Sequence, residues 1–256
     1  MRYKRLLRFA YMGTFDLHGR VVVVTGGSGF LGSQYCASLL EVGAIVENFD
    51  IDTDVDVTDE SSVQDTVARV VEKHGRIDGL ITNAAANPKA DESKSGGPWS
   101  PYSEFSTDLF RAELDLNLVG SFLAAKIISR QMMKQKSGSI VFVASDLALI
   151  APANALYEEG KFKDIAYGTS KAGVLGLMRF FAAYLGPYNV RANALVPGGM
   201  YRNHDAAFVK KNGALNMLGR MARENEYNGV VQFLLSDASS YMTGASLVVD
   251  GGRTAM

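Results

Sequence analysis

From residue 20 onward, short apolar runs alternate with amphipathic stretches along the chain. RVVVVTG (20–26) is continuous, β-branched and ended by glycine, the pattern of a buried strand. FLGSQYCASLLEVG (30–43) reads as a helix stopped by Gly43, and AIVENFD (44–50) as a second strand. ESSVQDTVARVVEKHG (60–75) carries apolar residues at 63, 67, 70 and 71, a helical spacing. A strand, IDGLITNAA (77–85), follows, then a long helix over 107–135 and the strand GSIVFVAS (138–145). The helix over 166–186 ends at Gly186 with Pro187 behind it. VRANALVPGG (190–199), EYNGVVQFLLSD (226–237) and SLVVDGG (246–252) read as strand, helix and strand.

This alternation predicts an α/β fold, a doubly wound parallel sheet of the Rossmann type in a single domain. Only five residues separate Asp50 from Asp56, whereas a parallel crossover takes a dozen or more. Seven strands are therefore expected, or six with a vestigial third around VDV (55–57); a tight loop in place of the crossover helix is the alternative. Residues 1–12, basic and apolar, form an arm ahead of a domain over 13–256. The arm lacks the apolar run and cleavage site of a secretory signal, and an upstream start before Met12 is an equal reading.

Two segments carry candidate chemistry. TGGSGFLG (25–32) joins the first strand to the first helix, so Gly26, Ser28, Gly29, Phe30, Leu31 and Gly32 are candidates to meet a pyrophosphate. Asp50 closes the second strand, where an acid meets the ribose hydroxyls of NAD and repels the 2′-phosphate of NADP; Asp52 and Asp54 are alternatives. NAD is thus the preferred cofactor and NADP the alternative. The second segment, YEEGKFKDIAYGTSK (157–171), contains Tyr-x-x-x-Lys twice, as Tyr157 with Lys161 and Tyr167 with Lys171. A cation one helical turn from a phenol stabilises the phenolate and makes a proton donor. Tyr167 opens a convincing helix, whereas Tyr157 has Gly160 inside its motif, so Tyr167 is preferred and Tyr157 is placed in a loop over the substrate. Ser145 ends its strand at the edge where ligands bind and is a candidate hydroxyl donor, with a helix cap as the other reading.

Composition narrows the field. The net charge of −1 argues against a nucleic-acid surface. One cysteine, Cys36, forms no intrachain disulfide, and three scattered histidines lack metal-ligand spacing, so no metal is expected. No stretch reaches the ~20 apolar residues of a membrane span. A cytoplasmic protein with a small-molecule substrate is the expectation.

From Asp16 to Gly252 the chain resembles the short-chain dehydrogenases/reductases. The resemblance rests on TGGSGFLG, DVT (56–58), NAA (83–85), Asn117 in LDLNLVGSF, Ser145, YGTSK (167–171), NALVPGG (193–199) and SSYMTGASLVVDGG (239–252). It implies an NAD(P)-dependent oxidoreductase interconverting a secondary alcohol and a ketone. Tyr167 would be the acid/base, Lys171 would lower its pKa and hold the nicotinamide ribose, and Ser145 would orient the carbonyl. Asn117 would hold a relay water. Asp56 and Val57 would flank the adenine, Asn83, Ala84 and Ala85 would line the cofactor floor, and Pro197, Gly198 and Met200 would lie against the nicotinamide. A homodimer or homotetramer packed through the helices near 105–135 and 165–186 is also implied.

Three departures matter. Phe30 stands where glycine is usual, with Gly29 one place earlier, a spacing that resembles epimerases and dehydratases that retain NAD. The gap from Ser145 to Tyr167 is longer than usual, and the threonine usual after Pro-Gly is not obvious in PGGMYRN. ASDLALIAP, PGGMYRN, LGRMARENEY and SDASSYMTGASLVVDGG are similar to members from bacterial surface-polysaccharide and flagellin-glycosylation pathways, including the legionaminic-acid type. A sugar, sugar phosphate or nucleotide sugar is then the expected substrate. Insertions at 88–101 and around Tyr157 agree with it, and Trp99 is a candidate to stack on a sugar ring or to anchor its loop. An NAD-retaining epimerase or dehydratase and a non-catalytic dinucleotide-binding regulator are the rival readings.

Overall fold

The structure, a computed structural model, describes residues 13–87 and 97–256. The arm at 1–12 and residues 88–96 of the first insertion lie outside the described residues.

Six parallel strands form one sheet: β1 (Val21–Thr25), β2 (Ile45–Phe49), β3 (Gly79–Thr82), β4 (Gly138–Val143), β5 (Val190–Pro197) and β6 (Ser246–Val249). Their order is β2-β1-β3-β4-β5-β6. The helices are α1 (Phe30–Glu41), α2 (Glu60–His74), α3 (Thr107–Leu114), α4 (Gly120–Gln135), α5 (Ile165–Leu185), α6 (Ala206–Gly213) and α7 (Asn228–Leu235). The predicted long helix is α3 and α4 joined by a π-helical segment, Asp115–Val119. The short helix α6 was not expected from the pattern.

Why the strands read as continuous apolar runs is visible in β1. Val21 and Val23 face one core, with α2, α4 and α5. Val22 and Val24 face the other, with α1 and α7. Alternate residues point to opposite faces of a strand, so a sheet covered on both sides needs apolar residues at every position. Ile140 and Phe142 of β4 repeat the division on the first side, and Val141 and Val143 on the second.

The vestigial strand at 55–57 does not form. The chain leaves β2 through a 3-10 turn, Ile51–Thr53, which Asp50 caps. The Asp50 carboxylate accepts the Asp52 N–H at 3.2 Å, and the Asp50 N–H is donated to Thr53 Oγ1 at 3.1 Å. Asp54 closes the turn in the left-handed region, at φ 60°. Five residues close this loop and are too few to add a paired strand, so the tight-loop alternative is the one realised. The strand that delivers Ser145 is consequently the fourth, one place earlier than in a seven-strand count.

The strand order reverses between β1, which leads outward to β2, and β3, which leads to β4, β5 and β6. An open parallel sheet has its binding crevice at such a point, outside the carboxyl ends of the strands. That edge carries the glycine loop, Asn83, Ser145 and Pro197.

Candidate active site

Thr25 ends β1 and ties it to β3. Its hydroxyl accepts the Asn83 and Ala84 N–H groups at 2.9 and 3.0 Å, while Asn83 Nδ2 donates to the carbonyls of Thr25 and Gly26 at 3.1 and 3.0 Å. Gly26 then turns at φ +65°, with Ala84 so close that a Cβ would stand 2.7 Å from its Cα. A Cβ on Gly32 would stand 2.0 Å from the Gly26 carbonyl oxygen. The N-cap of α1 is Gly29, which supplies no side-chain cap, so the first turn leaves amide groups for an anion. Asp50 stands beside the loop, and its Oδ2 accepts the Ser28 N–H at 3.0 Å.

At the other end of the same edge, Ser145 leaves β4 and caps a 3-10 turn, Asp146–Ala148, by accepting the Leu147 N–H at 3.2 Å. Its hydroxyl donates to Asp146 Oδ1 at 2.9 Å. Tyr167 lies in the first turn of α5, whose N-cap Asp164 accepts the Ala166 and Tyr167 N–H groups. One turn later, Lys171 is buried and donates from Nζ to the Val143 carbonyl at 2.8 Å. That Nζ stands 5.8 Å from the centre of the Tyr167 ring.

Burial dominates the protonation of this group. It pushes the Tyr167 phenol up to about 12, with Ser145 pulling down by a hydrogen bond and Asp146 pushing up. Burial also pushes Lys171 down to about 8. A tyrosine lowered by its lysine was the expectation; here loss of water sets the direction, and the group that opposes it is Ser145 rather than Lys171, because a dry phenolate and a dry ammonium are both costly. The second pair fails geometrically. Tyr157 has extended backbone after the 3-10 turn Asn154–Leu156, Gly160 sits at φ +78°, and Lys161 pairs with Glu158 at 2.9 Å. Tyr157 instead packs on Trp99, with ring centres 5.0 Å apart. Trp99 is only 4% exposed, so it anchors its loop rather than offering a face to solvent.

These groups line one cleft of about 1240 Å³. Gly26, Gly29, Phe30, Leu31, Asp50, Asp56 and Val57 line its glycine-loop half. Asn83, Ala84, Ala85, Ser145, Tyr167, Lys171, Pro197, Gly198 and Met200 line the remainder. Ser28 and Gly32 are absent from the lining: Ser28 bonds to Asp50 and Asn48, and Gly32 packs on the loop backbone. Asn117 lies behind the cleft in the π-helical segment, fully buried. Its Oδ1 accepts the Ala86 N–H at 2.7 Å, and its Nδ2 donates to the Ala86 carbonyl and Ser170 Oγ. It therefore braces β3 against α5.

A family model described as enoyl-(acyl carrier protein) reductase matches residues 15–254. A short-chain dehydrogenase/reductase from Aspergillus versicolor, notP′, is 36% identical over 93% of this chain and 88% of its own. The (+)-borneol dehydrogenase 1 of Salvia officinalis is 31% identical over 92% of this chain and 94% of its own. Among solved structures, NAD+-bound xylitol dehydrogenase is similar at TM-score 0.80 and 30% identity, covering 93% of this chain and all of that one. The chain belongs to the short-chain dehydrogenase/reductase family. It is an oxidoreductase, and among its described residues no helix is long and apolar enough to cross a membrane.

Among the further charged side chains that line the cleft of this short-chain dehydrogenase/reductase are Lys163, Asp146, Arg202 and Arg253. Lys163 Nζ lies 4.8 Å from the ring centres of both Trp99 and Tyr167 and donates to Asn87 Oδ1 at 2.5 Å. Asp146 is buried and paired with Arg253, Nε to Oδ2 3.2 Å. Arg202 stands 4.9 Å from the centre of the Phe30 ring. The position of Lys163, one turn before Tyr167, and of Asp146, beside Ser145, were visible signals; nothing in the sequence brought Arg202 or Arg253 here.

Behind this wall, Glu113 of α3 is buried against Asp164. Burial, then the neighbouring Asp164 carboxyl, push Glu113 up to about 8. The folded protein therefore keeps a proton that the unfolded chain releases near the ordinary carboxylate pKa. Between about pH 4.5 and 8, raising the pH favours unfolding. Thermal melts across that window should show wild-type stability falling as pH rises, and Glu113→Gln should flatten the fall. An unchanged slope in the variant would show that Glu113 ionises normally.

Proposed function

We propose that the protein is an NAD-preferring dehydrogenase that interconverts a secondary alcohol and a ketone on a carbohydrate-like substrate. The convergence of Ser145, Tyr167 and Lys171 on a cleft that also holds an uncapped glycine loop carries this reading. A bound nicotinamide dinucleotide supplies or accepts the hydride. Tyr167, Lys171, Asp50 and the loop from Gly26 to Gly32, with Asp56, Val57, Asn83 to Ala85, Pro197, Gly198 and Met200, would hold it.

The residues then divide the remaining work. Tyr167, protonated at neutral pH, is ready to give its proton to a ketone oxygen. In the alcohol-oxidising direction its pKa must fall, as a positive charge brought by a bound ligand would make it do. Ser145 stands where it would meet the substrate oxygen; its single proton is donated to Asp146 Oδ1 here, so polarising a ketone requires the hydroxyl to turn from Asp146 to the substrate. Lys171 holds the ribose, and Asn117 keeps the turn beneath Tyr167 in place for a proton relay. The case for NAD is the Asp50 carboxylate in the cleft: it accepts ribose hydroxyls and repels an added phosphate.

The carbohydrate-like substrate is supported by the relative named for xylitol and by the Tyr157 segment over the cleft. A place in bacterial surface-polysaccharide or flagellin-glycosylation chemistry rests on the sequence phrases alone. The assembly reading has a separate basis. Phe180 and Tyr184 on α5 are 80% and 63% exposed, and Phe122 of α4 packs on Phe181 of the same helix, an apolar face suited to a second copy.

Three measurements test these points. Tyr167→Phe should lower turnover about 10²–10⁴-fold with NADH binding intact, whereas Tyr157→Phe should keep the maximal rate within about tenfold. Retained turnover in the first variant sinks the assignment. In side-by-side titrations NADH should bind tighter than NADPH, and Asp50→Ala should erase the difference; equal binding by wild type removes Asp50 from the role. Light scattering should find a dimer or tetramer that Phe180→Asp dissociates, and a wild-type monomer would discard the helix-face assembly.

A further inference from the structure

Arg253 has more donors than the protein satisfies. It is 8% exposed and lines the cleft from the last turn of the chain. Its Nε faces Asp146 Oδ2 at 3.2 Å, but neither Nε nor Nη1 has a hydrogen-bond partner in good geometry. Asp146 has little more to give. Its Oδ1 already accepts the Ser145 hydroxyl and the Leu147 N–H, both at 2.9 Å. A buried cationic donor without an acceptor is destabilising, and five N–H groups in a planar fork cannot be served by one carboxylate oxygen. The remaining wall of that site is the cleft itself.

The surrounding charges leave that donor deficit in place. Around Ser145 and Tyr167 stand three cations: Lys163, Lys171 and Arg253. Facing them are Asp146, the Glu113–Asp164 pair, which keeps one proton, and Asp250, whose charge reaches Asp146. These charges sit in a partly dry site, where each is costly unless it is matched at close range, and Arg253 has only the one contact to Asp146. Tyr157 adds a hydroxyl within the field of both Arg253 and Asp146. A guanidinium that lines the cleft with donors left unpaired, beside a phenol, fits one chemical class of ligand: an oxyanion.

We propose that Arg253 binds an oxyanion, a carboxylate or a phosphate, carried by the substrate. The proposal rests on the oxidoreductase reading and narrows its substrate to an anionic hydroxy compound, such as a sugar acid or a sugar phosphate. Because Arg253 is linked through Asp146 to Ser145, the anionic group lies close to the carbon that reacts. Asp146 then has two tasks: it holds the fork in place, and it ties the position of the substrate's charge to the hydroxyl that meets its reacting oxygen.

The test is calorimetric titration of NADH-saturated protein, which closes the cofactor's own phosphate sites and allows no alcohol oxidation. The probes are tartrate, inorganic phosphate and threitol, the last being the neutral four-carbon counterpart of tartrate. Tartrate or phosphate should bind wild type at least about tenfold tighter than threitol, and Arg253→Gln should remove that advantage. The tighter of the two anions identifies the source, carboxylate or phosphate. Arg253→Lys keeps a charge beside Asp146 but loses the fork; it should fold even where the glutamine variant fails and should still bind the anion more weakly than wild type. Anion binding no tighter than threitol in wild type, or unchanged in both variants, overturns the proposal. Should NADH itself not bind, the dinucleotide reading falls, and the same comparison on the unliganded protein still decides whether Arg253 holds an anion.

Discussion

The site depends on one close approach between backbones. Where β1 ends, Gly26 passes Ala84 at a distance that admits no Cβ, and its carbonyl oxygen occupies the space a side chain on Gly32 would need. Thr25 and Asn83 lock this crossing with hydrogen bonds in both directions. The crossing sets the angle at which α1 leaves the sheet, and so the direction in which its uncapped amides point. It also fixes the floor of the cleft, because Ala84 and Ala85 continue from the strand that the knot holds. Widening it by a methyl group would shift loop, helix and floor together, since packed interiors yield little.

A second constraint is the loss of water along the cleft. Lys171 and Lys163 are both pushed down to about 8, and Tyr167 up to about 12, by burial before any partner acts. Tyr167 is then in the state that ketone reduction needs, but not in the one that alcohol oxidation needs. A dry site makes each protonation state responsive to the next charge that enters, since attraction between charges grows as the medium becomes less polar. The cleft is in that sense tuned by what binds to it. Asp146 shows the same logic from the protein's side: burial pushes its pKa up, while Ser145, Arg253 and the Leu147 amide act against that rise.

Much of this was legible in the chain. The continuous valines of β1 announced a sheet covered on both faces, and the helical context of Tyr167 separated it from Tyr157. Asp50 was placed beside the loop by its position at the end of β2, and the five-residue spacing to Asp56 foretold the irregularity there. Legibility failed where the answer depended on long-range geometry. Arg253 and Asp146 are far apart in sequence, and no local pattern pairs them. Arg202 reaches Phe30 only because β5 and α1 converge at the same edge. The direction of the Tyr167 shift was missed for a related reason: a four-residue spacing reports a nearby cation, but only the packed structure reports how much water is lost.

The glycine spacing that resembled epimerases can now be weighed position by position. Gly26 and Gly32 are held by backbone contacts of 2.7 and 2.0 Å that no side chain can evade. Gly27 is crowded by Asn48 at 2.3 Å, but by the end of a side chain that can turn away. Gly29 is the loosest of the loop, with a Cβ contact of 3.2 Å to the Gly26 carbonyl oxygen and backbone that any residue adopts, at φ −71°. Its neighbour Phe30 carries a full ring, accommodated in the cleft wall beneath Arg202. Geometry therefore demands glycine at the two outer positions and tolerates variation between them. Whether the middle glycine falls at 29 or 30 reflects how the wall is built at that point, where the backbone makes no demand for glycine.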